Sequence, residues 1–406
     1  MLTMRKLAEV GDPTAGRRQI DWSLQCMPVI RTLLEEHRDA KPFAGHRIAV
    51  CVHITKETAA LVRVLSELGA EVAITGGNPQ TTQDDVAHAL AADGVSVFGW
   101  RGMTESEVED GVTFVQNAFS AVPTLVVDDG GHLISRLHAD HPEWLPEIRG
   151  GVEKTTAGVR RLSAMDAAGE LRLPTLAVND VSTKWDFDNT YGVGQSTIDG
   201  IIRASGLLLA GRTFVVVGFG HVGRGIAIRA RGHGAHVVVA CRSARTALRA
   251  ALEGFRVEPI ADAIAHADFV CTATGLPDVV AAEHLDAAKD GVVLCNSGWS
   301  NIEIELAALR ERTESVERVR NQMDVHRLRS GKRIVLLSEG GMVNLDAAEG
   351  NPSEVMDLGY ANVVLSLLQL LENPPAPGLH TPPDAQDQAV ARLKLASMGV
   401  TIDEAA

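Results

Sequence analysis

The stretch FVVVGFGHVG, residues 214–223, decides the fold. Its four leading apolar residues, three of them β-branched, read as a buried strand. Gly218, Gly220 and Gly223 follow in G-x-G-x-x-G spacing, with His221 and Val222 between them, and a helical pattern then runs to about Arg231. The first glycine permits the tight turn, and the second lets a pyrophosphate approach the backbone. The third lets helix pack on strand, and the helix start turns its N–H groups toward the phosphates. The stretch therefore predicts a dinucleotide-binding α/β unit. A second strand, His236–Ala240, ends where an acidic residue would bind the adenosine ribose of NAD, but Cys241-Arg242-Ser243 stands there instead. An arginine and a hydroxyl suit a 2′-phosphate, and the missing carboxylate removes a repulsion, so NADP is favoured over NAD.

Working outward, strand-like runs alternate with helical patterns along the chain. Downstream strands are predicted at Asp268–Thr272, Val292–Asn296 and Arg333–Leu337. Upstream ones are predicted at Ile48–Val52, Val72–Thr75, Thr124–Val127 and Thr175–Val178. Between the first two, Leu61, Val62, Leu65 and Leu68 share a helical face that Gly69 closes. The fold class is α/β, with two doubly wound parallel-sheet, Rossmann-like domains. A substrate domain is expected over residues 1–187, with 350–372 returning to it, and a dinucleotide-binding domain over 188–349. The prolines in 373–377 and 381–383 predict a loop-rich tail over 373–406. Ligands collect at the carboxyl ends of parallel strands, so His53, Thr55, Asp129 and Asn179 are polar groups that can converge.

Composition narrows the function. Of 406 residues, 38 are basic and 52 acidic, a net charge of −14, which opposes binding to nucleic acid through phosphate neutralisation. No apolar run approaches the ~20 residues that span a bilayer, and the N-terminus lacks a signal-peptide core. The five cysteines show no CxxC pairing, and three lie in or at the end of apolar strand-like runs. No metal is expected, and the cysteine usage points to a reducing cytoplasm.

Further motifs carry a resemblance. They are CVHITKETA (51–59), TTQDD (81–85), VVDDGG (126–131), TTAGV (155–159) and VNDVSTKWDFDNTYG (178–192), then GFGHVGRG, CNSG (295–298), SEGGMVNL (338–345) and GNPSEVM (350–356). In this ordered set the chain resembles the S-adenosylhomocysteine hydrolase family over roughly residues 20–370. The resemblance implies a tightly bound NAD, the family default, in an internal redox cycle. The 3′-hydroxyl of a purine nucleoside is oxidised to a ketone, the C4′ hydrogen becomes acidic, and the C5′ group leaves by elimination. Water then adds, and the stored hydride restores the hydroxyl.

Roles carry over by position. Lys184 and Asp188 match the pair that binds and activates the 3′-hydroxyl, with Asn189 nearby, and His53 and Asp129 match the groups that handle the leaving group and its proton. Thr55, Glu57 and Met356 match substrate-facing positions, while Thr155, Thr156, Thr274, Asn296 and Asn344 match cofactor contacts. The departures fall in the site. Lys154 stands where the family has a Glu on the ribose hydroxyls, and Trp299 stands where it has a His near the C5′ substituent. Ser300 and Asn301 replace a Phe-Asp, and Val193 replaces a Cys near the nicotinamide. Asn351 replaces a His at the adenine pocket, and Glu349 replaces a Met beside it. The sequence ends at Ala406, short of the family's Lys- and Tyr-bearing tail, so the expected assembly is a homotetramer or a homodimer.

The expected function is redox-neutral elimination on a purine nucleoside, specifically dehydration to a 4′,5′-unsaturated product of the angustmycin type. Trp299 motivates this by narrowing the space that homocysteine would use and excluding water. The alternatives are hydrolysis of S-adenosylhomocysteine and a nucleotide-binding regulator without turnover.

Overall fold

Runs of Val, Ile and Leu that lack polar alternation need cover on both faces, and parallel sheets flanked by helices supply it. In the computed structural model, which describes residues 5–403, such runs build two α/β units. One comprises Met1–Trp185 with Ser353–Ala406, and the other Asp186–Pro352. In chain order the strands of the first are β1 (Arg5–Lys6), β2 (Arg47–Cys51), β3 (Glu71–Thr75), β4 (Ser96–Phe98), β5 (Leu125–Asp128), β6 (Gly150–Glu153) and β7 (Pro174–Ala177). The second holds β8 (Thr213–Val217), β9 (His236–Ala240), β10 (Arg256–Val257), β11 (Phe269–Thr272), β12 (Val292–Asn296), β13 (Thr313–Arg320), β14 (Met323–Leu328) and β15 (Arg333–Leu337). The chain then returns to the first unit for β16 (Gly378–His380).

The first sheet runs β1-β4-β3-β2-β5-β6-β7-β16, and every pairing is parallel. Winding proceeds from β2 outward through β3 and β4, then restarts from β5 outward through β6 and β7. The winding reverses between β2 and β5, which opens a crevice at their carboxyl ends. His53 follows β2 and Asp129 follows β5, so both sit at that switch point. The helix Lys56–Glu67 begins there, with the Thr55 hydroxyl capping the Thr58 N–H.

The second sheet runs β10-β9-β8-β11-β12-β15-β14-β13, parallel except for the hairpin that joins β14 and β13 to β15 antiparallel. Its reversal lies between β8 and β11, and the glycine loop leaves β8 at that point.

Two expectations are corrected. The expected loop-rich tail contains β16, paired to β7, and a helix, Asp384–Ser397. Its prolines lie in the short connections before these elements, with Pro383 immediately before the helix, where it removes no helical N–H. The helix is tied down by Lys394, 3.1 Å from buried Asp357, and by Asp387, which accepts the Ser182 and Thr183 N–H groups. The helix Ser353–Glu372 is also long and apolar enough to cross a membrane by length and composition, which no run in the sequence suggested. Most of it is buried, and Leu358, Val363, Val364, Leu367 and Leu370 belong to the core of the first unit. Asp357 and Asn362 interrupt its apolar run, and both are bonded inside.

Candidate functional site

In the first unit, parallel register lines up the strand ends on either side of the crevice. Cys51 of β2 stands opposite Asp128 of β5, and Asp128 stands opposite Glu153 of β6. The next residue along each of the last two strands is Asp129 and Lys154. The Lys154 ammonium lies 2.9 Å from Asp129 Oδ2 and 5.5 Å above the ring of buried Tyr360. His53 Nδ1 is 2.8 Å from the Thr81 hydroxyl, and its Nε2 is 4.0 Å from Asp129, beyond direct hydrogen-bond reach.

The electrostatics follow from burial and these contacts. Burial pushes the Asp129 carboxyl up, but Lys154, then His53 and Lys184, outweigh it and hold the group below its ordinary range. Burial lowers His53, with Lys154 adding to the drop and Asp129 opposing it, so the imidazole is neutral at pH 7. Asp128 is pushed up to about 7 by burial, against the N–H groups of Ile134 and Asp129 that it accepts. Glu153 is pushed well up by burial and by Asp128 and Asp129, although four donors converge on it. These are the N–H groups of Gly130, Gly131 and Thr155 and the Thr155 hydroxyl. A side chain at position 158 would collide with that carboxylate, since a Cβ there meets Glu153 Oε2 at 2.2 Å. Glu153 thus braces the turn that carries Asp129. Sequence reading missed it because its strand, GGVE, has two glycines and a charged end.

The remaining predicted residues of this unit separate by what their side chains touch. Lys184 is buried, with Nζ 3.4 Å from Asn179 Oδ1, an atom that the Thr156 hydroxyl also approaches. Glu57 is buried, accepts from Ser353 Oγ at 2.8 Å and lies 3.3 Å from Lys56 Nζ. Thr155 caps the helix Thr156–Ala167 through Gly158 N–H. Met356 packs against the core cluster beside this site.

In the second unit the glycine loop has the expected form. Gly218 has φ +100°, a conformation only glycine adopts without strain, and a Cβ at Gly223 would meet the Gly218 carbonyl oxygen at 2.0 Å. Nothing lies within 4 Å of a Cβ at Gly220. The helix His221–Gly232 starts after Gly220 without a side-chain cap, which leaves its first N–H groups for a ligand. Val222 packs into the core behind it. Asn344 is buried, and no donor among the described residues reaches its Oδ1. An open backbone cradle, an uncapped helix start and a buried acceptor without a donor fit a nicotinamide dinucleotide, whose pyrophosphate and carboxamide supply the missing partners.

At the end of β9, Arg242 is exposed and the Ser243 hydroxyl caps the helix Ala244–Leu252. Two predicted cofactor residues are used within the chain. Asn296 donates to Ser300, Gly298 and Gly340 carbonyls and accepts from Gly298 N–H and the Thr272 hydroxyl. Thr274 donates to buried Glu303, which also takes the Gly275 N–H. Trp299 is half-buried in the loop that Asn296 organises.

Asp188 is buried at the head of the one-turn π-helix Asp188–Gly192, next to the half-buried Asn189. Asn351 donates its amide to Asp188 Oδ1 and accepts from Ser196 Oγ at 2.9 Å. It therefore orients the Asp188 carboxylate.

Comparison with known proteins agrees with both units. A family model described as S-adenosyl-L-homocysteine hydrolase matches residues 5–143, and one described as its NAD binding domain matches residues 189–350. Proteins named adenosylhomocysteinase are 46% identical in Aeropyrum pernix, covering 98% of this chain and 95% of that one, and 43% identical in Gloeothece citriformis, covering 98% and 93%. Among solved structures, a dipicolinate synthase chain from Bacillus halodurans aligns with TM-score 0.51 at 13% identity, over 80% of this chain and 99% of that one, a likeness of fold alone. Identity at this level over 98% of the chain means that it belongs to the S-adenosyl-L-homocysteine hydrolase family.

Proposed function

We propose that this protein acts on a purine nucleoside by transient oxidation at C3′ and elimination at C5′, and that S-adenosylhomocysteine is the substrate its relatives support. The observation that carries the reading is the half-buried His53 beside the buried Asp129 at the switch point of the first sheet, in a chain that also has a dinucleotide loop. A bound nicotinamide supplies a reversible hydride acceptor for C3′. Held by Gly218, Gly220, the helix start at His221 and Asn344, it is NAD by family, while Arg242 and Ser243 favour NADP.

The chain's own groups handle protons. Lys184 and Asp188, the latter oriented by Asn351, take the 3′-hydroxyl proton, with Asn189 beside them. Asp129 and His53 serve the C4′ and C5′ atoms, and Thr55, Glu57 and Met356 hold the ribose and base. Thr155 and Thr156 are cofactor contacts by resemblance, as are Thr274 and Asn296. A homotetramer or homodimer in the cytoplasm fits the family, and the five free cysteines fit a reducing compartment.

A second reading is favoured by one observation, the Lys154 ammonium 2.9 Å from Asp129. In that reading the leaving group is a hydroxyl, and the product is a 4′,5′-unsaturated nucleoside of the angustmycin type, with Trp299 limiting access of water. The test is mass spectrometry of the enzyme incubated separately with S-adenosylhomocysteine and with psicofuranosyladenine. Homocysteine with adenosine supports hydrolysis, and loss of one water from the nucleoside supports dehydration. No product from either overturns the proposal. Lys184→Ala should lower turnover by roughly a hundredfold or more, as removal of a proton-transfer group does.

A further inference from the structure

We propose that Lys154 is the acid that protonates a hydroxyl leaving at C5′, so that the site is matched to a nucleoside with a free 5′-hydroxyl rather than to a thioether. The proposal rests on the dehydration reading above. Hydrogen positions at the site are assigned by its contacts. The Thr81 hydroxyl has the Asn78 carbonyl within 3.4 Å as its own acceptor, so its oxygen accepts from His53 Nδ1–H at 2.8 Å. That tautomer leaves Nε2 with a lone pair and no proton to give. Asp129 is a carboxylate held in that form by the Lys154 ammonium at 2.9 Å. Of the three groups, only Lys154 carries a transferable proton. It is buried, with its charge between the Asp129 carboxylate and the face of Tyr360.

The chemistry of the leaving group decides what such a proton is for. A thiol has a pKa near ~8.5, so a homocysteine sulfur departs as a thiolate with little help. Water is a far weaker acid than a thiol, and hydroxide departs only if it is protonated as the bond breaks. With the ketone at C3′, the C4′ proton passes to an oxygen of Asp129, and the C4′–H electron pair becomes the C4′=C5′ bond. The C5′–O bond breaks onto oxygen, which takes a proton from Lys154 Nζ and leaves as water. One proton hop from Asp129 to Lys154 across the 2.9 Å contact then restores both groups, and no charge is gained or lost.

The test uses the purified enzyme, its Lys154→Arg variant and its Lys154→Gln variant, with adenosine as the 5′-hydroxyl probe and S-adenosylhomocysteine as the thioether. Deuterium uptake at C4′ in heavy water reports oxidation and proton abstraction without requiring departure of the C5′ group. Water loss and thiol release report departure. Arginine keeps a cation beside Asp129 but does not give up its proton. In Lys154→Arg, water loss from adenosine should therefore fall by roughly a hundredfold or more relative to C4′ exchange in the same variant. Lys154→Gln should lose water loss as well, and retained C4′ exchange in either variant certifies a folded site. Water loss at the parent rate in Lys154→Arg overturns the assignment. So does a parent enzyme that exchanges C4′ hydrogen and releases thiol but accumulates no 4′,5′-unsaturated nucleoside from adenosine, which leaves the hydrolytic reading standing. Loss of exchange and water loss together in Lys154→Arg would make Lys154 a positioning residue only. A parent enzyme that exchanges no C4′ hydrogen with either compound removes the elimination itself.

Discussion

A carboxylate that accepts four hydrogen bonds inside a protein core fixes the segments that carry those donors. Glu153 binds Gly130 N–H, Gly131 N–H and both donors of Thr155, and so holds the turn that presents Asp129. In Glu153→Gln one oxygen becomes an NH2 that faces N–H donors it cannot accept. The variant should lose about 1–3 kcal/mol in urea unfolding, the penalty of leaving buried donors unmet. Turnover should fall by roughly tenfold, since the change moves Asp129. A variant with parent turnover would show that the Asp129 turn holds its shape without this brace. At the same scale, the family positions His53, Asp129, Lys184 and Asp188 were legible as sequence, whereas Glu153, Tyr360, Thr81 and Glu303 were not. Each of those four acts through a contact with a residue far along the chain or through burial, and neither leaves a local signal.

At the scale of the element, the strand–loop–helix at residues 213–232 is the most sharply specified piece of the chain. Gly223→Ala forces a methyl against the Gly218 carbonyl oxygen, which a Cβ would meet at 2.0 Å, so loop and helix must separate. The expected cost is about 1–3 kcal/mol in thermal or urea unfolding, as for overpacking elsewhere. Cofactor affinity, read by fluorescence quenching, should drop by at least roughly tenfold, because the cradle shifts with the helix start. The loop after β9 carries a separate prediction. If Arg242 faces a 2′-phosphate, Arg242→Ala weakens NADP binding by roughly ten- to a hundredfold and leaves NAD within a few-fold. Equal effects on both dinucleotides would return the preference to NAD. The tail shows the opposite case, in which element chemistry misleads. Its prolines read as loop punctuation, yet between and after them lie a strand and a helix, and the helix docks onto Asp357 and the Ser182–Trp185 turn.

For the whole molecule, the buried acids at the crevice tie stability to pH. Asp128 has an ordinary pKa of 3.8 when unfolded and about 7 when folded, so the native state holds its proton over that window while the unfolded state does not. Stability therefore decreases as pH rises from about 4 to about 7, and the full cost is present above it. Asp128→Asn removes the Asp128 part. Its destabilisation relative to the parent should be smaller near pH 8 than near pH 5, measured as urea midpoints at both. A difference independent of pH would mean that Asp128 is ionised throughout.

The sequence by itself determined the strands that apolar β-branched runs encode, the glycine loop and the ordered motifs of the family. Each of these rests on local sterics or on burial that a short segment specifies alone. The tertiary structure decided which charges meet. Parallel register sets Asp128 opposite Glu153 and thereby brings Lys154 to Asp129, and the return of the chain sets Tyr360 beneath Lys154. Asn351 found Asp188 in the same way, across 163 positions. Such partners are chosen by sheet register and chain return, and Coulomb energy between buried groups depends on distance in space rather than along the chain.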